Sequence, residues 1–137
     1  MSATRIALLA GATGAVGRRL LERLLERTDG THVITVGRRP PPRSHARLEH
    51  LHAELARMPE VLAEHRCSEA FCCLGTTLRT AGSKAAFRAV DLDGVAGFAQ
   101  AAHAAGAGFF GLVSSAGADP RALSFYLRTK GEAEAAV

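Results

Sequence analysis

The 137-residue sequence has no tryptophan, one tyrosine and only 5% aromatic residues. Such a chain offers few platforms on which unpaired bases could stack, so a single-stranded nucleic-acid surface is not expected. It also lacks any block of like charge: 17 basic residues against 13 acidic ones leave +4, spread along the whole length. Charge therefore provides no nucleic-acid footprint beyond a mildly basic average. Cysteine is scarce as well. Three residues, at 67, 72 and 73, are too few and too unevenly spaced for a disulfide framework, and they fit a reducing, cytoplasmic setting. Cys72 and Cys73 are neighbours, so on a strand they would face opposite ways and share no metal.

Strong hydrophobic runs are missing too. Ile6 to Val16 follows a single Arg5 and imitates an export signal, but its glycines have a better explanation below. Gly94 to Ala118 carries no charge, yet it is broken by six glycines, Gln100, His103, Ser114 and Ser115. Its apolar residues are mostly alanine, which is too weakly hydrophobic for a membrane span. With 47% apolar and 22% charged residues, the chain nevertheless has enough to bury a core, and its length suits one domain.

What the sequence does contain is a repeated change of period. Thr4 to Ala10 is a short apolar run ended by glycine, the mark of a buried parallel strand. From Gly14 the spacing becomes helical. Val16, Leu20 and Leu24 form one stripe with Gly17, Leu21 and Leu25 beside it, and Thr28-Asp29-Gly30 ends the helix. His32 to Val36 is β-branched and reads as the second strand, followed by an exposed loop holding Pro40, Pro41 and Pro42. A short strand over Leu48 to His52 and a short helix over Pro59 to His65 come next. Phe71 to Leu74 reads as a buried strand, Lys84 to Ala105 as one long alanine-rich helix, Phe109 to Val113 as a strand and Leu123 to Val137 as a last helix. Alternation of this kind predicts an α/β fold: a Rossmann-like, doubly wound parallel sheet in three layers, as one domain over residues 1–137.

The first strand runs into Gly11-Ala12-Thr13-Gly14-Ala15-Val16-Gly17, a G-x-x-G-x-x-G that opens a helix. Each glycine has a physical task when a dinucleotide binds there. Gly11 permits the tight turn, Gly14 lets the backbone approach a pyrophosphate, and Gly17 brings helix and strand together. Free N–H groups and the dipole at the helix start favour the anion. About twenty residues further on, where an NAD site offers a carboxylate to the ribose, this chain has Gly37-Arg38-Arg39. Two guanidiniums suit a 2′-phosphate, so NADP(H) is expected over NAD(H). A third signal is Ser114-Ser115 at a strand end, followed by Tyr126-Leu127-Arg128-Thr129-Lys130. Tyrosine and lysine at i and i+4 share a helix face, and a cation beside a phenol makes it a better acid or base. His45, His50 and His52 lack a carboxylate or cysteine at ligand spacing, so no metal site is expected.

Together these motifs resemble the short-chain dehydrogenase/reductase superfamily. Phe71-Cys72-Cys73-Leu74-Gly75-Thr76-Thr77, and Ser114-Ser115-Ala116-Gly117-Ala118-Asp119 leading to Tyr126-Leu127-Arg128-Thr129-Lys130-Gly131-Glu132, are similar to its atypical NADPH-binding branch. That branch contains the Tat-interacting protein oxidoreductases and their bacterial relatives. The resemblance implies that residues Gly11, Ala12, Thr13, Gly14, Ala15, Val16 and Gly17 hold the pyrophosphate and that Arg38 and Arg39 hold the adenosine phosphate. By the same resemblance Glu54 and Leu55 border the adenine, and Leu74, Gly75 and Thr76 pass beneath the nicotinamide-side ribose. Ser115, Tyr126 and Lys130 form the catalytic set, with Tyr126 and Lys130 also against the cofactor; Ser114 is the alternative hydroxyl. Where the superfamily carries a helix asparagine, this chain has Asp91 or Asp93. The implied reaction is hydride transfer with a small carbonyl or alcohol substrate. A non-catalytic NADPH-binding sensor is the alternative, and self-association or a protein partner is left open. Family members continue beyond the lysine with a segment that shapes the substrate pocket, so the domain is expected to be incomplete at its C-terminal end.

Overall fold

A computed structural model describes residues 3–137. Five strands form one parallel sheet in the order β3-β2-β1-β4-β5: β1 (Ile6–Ala10), β2 (His32–Gly37), β3 (Leu48–His52), β4 (Glu69–Cys72) and β5 (Phe109–Leu112). The register runs Ala7 against Val33 on one side and Ala7 against Glu69 on the other. Because β1 is central, both of its faces are buried, and its alternating side chains feed two cores. Ala7 and Leu9 join Leu21, Leu24, Leu25 and Val33 beneath α1 (Ala15–Leu25). Leu8 and Ala10 join Met58, Leu62, Val95 and Phe98 on the opposite face. The latter residues come from α2 (Met58–Leu62) and α5 (Val95–Ala104). Helix, sheet and helix thus make three layers, as the alternation of periods predicted.

α1 is amphipathic, but its buried face is Gly17, Leu21, Leu24 and Leu25, with Val16 half in water at 51% exposure. The stripe is thus rotated from the one starting at Val16. Arg47 fastens the far end of α1: its guanidinium donates to the carbonyls of Leu25 (2.6 Å) and Thr31 (2.5 Å). Those carbonyls would otherwise lack partners at a helix end and a strand start.

Two helical expectations need correction. Residues 59–65 do not form one helix; a 3₁₀ turn at Leu55–Arg57 precedes α2, which ends at Leu62. The stretch from Lys84 is not one regular rod either. α4 (Lys84–Arg88) passes into a π-helical turn over Ala89–Gly94 before α5 begins. The wider turn coincides with Asp91, which is fully buried and drawn inward by two polar partners. A side chain satisfied off the helix is a recognised cause of such a local widening. Gly94 does allow close packing, since a Cβ there would stand 2.9 Å from the Leu55 side chain. α3 (Leu78–Ala81) is a single turn capped by Thr77 and was not foreseen. α6 (Phe125–Ala136) starts at Ser124, whose Oγ accepts the Leu127 N–H.

Candidate functional site

The carboxyl ends of β1, β2, β3 and β4 surround a cleft of about 540 Å³. It lies at the point where the strand order reverses between β1 and β4, which is where open α/β sheets bind their ligands. An open hollow lined by Arg5, Glu26, Arg27, Thr28 and Asp29 sits at the amino ends, with no glycine turn or helix start facing it.

Sequence and geometry meet most closely on the glycine turn. Gly11 has φ +81°, a left-handed conformation, and a Cβ there would collide with the backbone of Cys73–Leu74. A Cβ on Gly17 would overlap the Gly11 carbonyl, so this glycine is what lets α1 approach β1. Gly14 differs: its Cβ position meets only the Gly11 oxygen, at 3.7 Å, and otherwise points into the open cleft. The fold therefore does not require glycine at 14, whereas a ligand approaching the backbone does. Gly14 also begins α1 without any side-chain cap, and no acidic residue lies in the first turn. The positive amino end of α1 thus opens onto the cleft at Gly14, an arrangement that suits an anionic pyrophosphate.

Gly11, Ala12, Thr13, Gly14, Arg38, Arg39, Glu54, Leu55, Leu74, Gly75 and Thr76 all line this cleft. Ala15, Val16 and Gly17 do not line it; they form the first turn of α1 behind it. Arg38 and Arg39 are exposed at the cleft edge, beyond the end of β2, with no acidic partner among the described residues. Sequence reasoning missed Thr35 and His50, which form part of the wall. They face each other across the β2–β3 register, and Thr35 Oγ1 lies 2.8 Å from His50 Nδ1. Burial pushes the His50 imidazole below its ordinary value, and its Nε2 is enclosed without a partner. The cross-strand pairing that makes this wall leaves no local signal in either strand.

Ser115, Tyr126 and Lys130 do not line the cleft. Tyr126 is half-buried and packs on Phe87 at 5.5 Å between ring centroids, and Lys130 Nζ lies 5.6 Å from the Tyr126 ring centre. Tyrosine and lysine are therefore together on α6, as their spacing predicted. Lys130 itself is buried and donates to Asp91 Oδ1 at 2.5 Å, while Asp91 Oδ2 accepts the Thr76 N–H at 3.0 Å. Of the two aspartates, Asp91 is thus the interior one; Asp93 is exposed. Ser115 Oγ finds only the neighbouring Ala116 carbonyl, at 3.5 Å, whereas Ser114 Oγ is buried without a partner. Burial pushes the Cys72 thiol up to about 12 and raises that of half-buried Cys73 as well.

A parallel three-layer sheet with a glycine turn and an uncapped helix start at its switch point defines a dinucleotide-binding, Rossmann-like domain. The chain belongs to the NAD(P)H-binding family, whose profile matches residues 11–137. It is 37% identical over 132 residues to "Protein HTATIP2" of Rattus norvegicus, covering 93% of this chain and 54% of that protein. It is 35% identical over 142 residues to "Protein FMP52, mitochondrial" of Coccidioides immitis, covering 94% and 58%. In fold it is similar to the Bordetella bronchiseptica enzyme WbmG, solved in complex with NAD, with a TM-score of 0.77, 17% identity, and coverage of 98% and 49%. The chain thus spans a little over half the length of the curated relatives it matches. The cytoplasmic expectation is overturned here, because the FMP52 relatives are named as mitochondrial. A low cysteine count does not identify a compartment. Among the described residues no helix is long and apolar enough to cross a membrane.

Proposed function

We propose that this chain is the cofactor-gripping part of an NADPH-preferring oxidoreductase that transfers hydride to or from a small carbonyl or alcohol. The observation that carries the reading is the shared cleft of Gly14 and Arg38–Arg39. The uncapped start of α1 at one end suits a pyrophosphate, and two guanidiniums with no acidic partner among the described residues at the other suit a 2′-phosphate. A bound nicotinamide supplies the hydride. The turn from Gly11 to Gly17 holds the pyrophosphate, Arg38 and Arg39 the adenosine phosphate, and Glu54 and Leu55 border the adenine. Leu74 to Thr76 pass beneath the second ribose. Tyr126 moves the proton at its phenolic oxygen, Lys130 supports it by charge and touches the ribose, and Ser115 orients the substrate oxygen, with Ser114 as its alternate.

A fluorescence titration of the chain with NADPH and NADH tests the cofactor assignment, and a carbonyl panel tests turnover. Tyr126→Phe should abolish turnover and leave NADPH affinity within about threefold, since the phenol serves the proton step. A second reading, a non-catalytic NADPH sensor, draws support from the tethering of Lys130 to Asp91 and the position of the Tyr–Lys face outside the cleft. Saturable NADPH binding with no turnover on the panel favours that reading.

A further inference from the structure

The buried pair of Asp91 and Lys130 lies immediately behind the cleft wall. Gly75 lines the cleft, and a Cβ on it would stand 3.6 Å from both Asp91 Oδ1 and Lys130 Nζ. The wall at this point is therefore one bare glycine thick. Asp91 binds on both sides of it: one oxygen takes the Lys130 ammonium, and the other takes the N–H of Thr76, the next residue of the wall. The π-helical turn brings the carboxylate to full burial between them. A buried carboxylate shared by a wall amide and an interior ammonium links the two mechanically and electrostatically, because neither partner can move without leaving a charge or donor unmet.

We infer that Asp91 is a positioning residue through which occupancy of the cleft sets the freedom of Lys130. The ammonium is held on Asp91 behind Gly75. A ligand pressing on Gly75–Thr76 moves the Thr76 N–H, shifts the carboxylate and loosens the ammonium toward the Tyr126 side of α6. By linkage, whatever factor the ligand applies to the release of Lys130, that release applies to ligand affinity. The inference rests on the cofactor reading above, and the experiment separates the two.

Lysine occurs only at 84 and 130, so brief acetylation of the folded chain, read by mass spectrometry, carries its own reference in exposed Lys84. In the unaltered chain Lys130 should acetylate about tenfold or more slowly relative to Lys84, as a buried paired ammonium does. Saturating NADPH, with occupancy followed by its fluorescence, should raise the Lys130:Lys84 ratio about fivefold, within the usual range of site coupling. Asp91→Asn keeps an acceptor for Thr76 but removes the counter-charge. It should raise the ratio about tenfold without NADPH and abolish the NADPH-dependent change, while Asp91→Glu should restore slow labelling. Gly75→Ala, whose added methyl has ordinary contact distances, should blunt the NADPH effect when compared at NADPH occupancy matched by fluorescence. It serves if Asp91→Asn does not fold. NADPH binding to the unaltered chain with no change in the ratio overturns this inference and leaves the cofactor reading standing. An Asp91→Asn protein that labels like the unaltered chain also overturns it. Absence of NADPH binding removes both.

Discussion

Gly14 and Gly17 lie one turn apart, yet a methyl group would meet opposite fates on them: overlap with the Gly11 carbonyl at 17, and 3.7 Å of clearance from the same oxygen at 14. One glycine is demanded by the packing of α1 on β1; the other meets no such constraint among the described residues. Gly17→Ala should therefore destabilise the fold by about 1–3 kcal/mol through overpacking, seen as a lowered denaturation midpoint. Gly14→Ala should leave that midpoint within about 1 kcal/mol and weaken NADPH binding at least tenfold, as the added methyl fills the pyrophosphate approach. Equal effects of the two substitutions on stability would contradict this division of labour.

Arg38 and Arg39 form a second, separable determinant. They stand at the cleft edge without acidic partners among the described residues, which leaves their charge open to a phosphate. Replacing both with Ala should cost NADPH about 1.5–3 kcal/mol of binding and leave NADH nearly unchanged. Raising the salt should narrow the NADPH advantage of the unaltered chain but not of the double variant. Calorimetric titration of both cofactors at two ionic strengths checks this.

His50 gives a pH dependence whose sign follows from burial. Its folded pKa lies below the ordinary value of 6.5, so between the two the unfolded chain binds more protons than the folded one. Stability should accordingly fall as the pH drops below 6.5 and level off once the folded form also protonates. His50→Gln, which can still meet Thr35 Oγ1, should flatten that slope. Urea midpoints measured from pH 5 to 7.5 would show it. A slope unchanged by the substitution would assign the effect to other groups.

The two adjacent cysteines should react unequally. Cys72 is buried in the sheet with its thiol held at about 12, so at pH 8 only about one in ten thousand is thiolate. Cys73 is half-buried and also raised. Native alkylation should mark Cys73 slowly and Cys72 only after denaturation, as peptide mass spectrometry would report. Fast modification of native Cys72 would contradict the burial.

Much of the fold was legible because its signals are local. β1 and β2 are short apolar runs closed by glycine, and the turn from Gly11 to Gly17 carries its geometry in its spacing. Gly11 to Gly14 and Arg38–Arg39 were placed by the ends of those strands, whereas Glu54–Leu55 and Leu74–Thr76 were expected only from the family resemblance. Other features arise only when distant residues meet. The alanine-rich stretch from Lys84 has no proline and reads as one helix; its π-helical turn accompanies Asp91 bonding to Thr76 and to Lys130, 39 residues away. The same holds for the Thr35–His50 wall, which needs β3 laid beside β2 in a particular register. Tyr126 and Lys130 were paired correctly by their spacing on α6. That spacing carried no information about the side of the cleft wall on which they lie.

The central claim is that this chain grips NADPH through the glycine turn and the two arginines. Its most direct test is a fluorescence titration of the purified chain with NADPH and NADH under identical conditions. The account predicts saturable binding of both, with NADPH tighter by about 10- to 100-fold, the factor that about 1.5–3 kcal/mol of charge-assisted contact represents. Equal affinities for the two cofactors, or no saturable binding of NADPH, would contradict it.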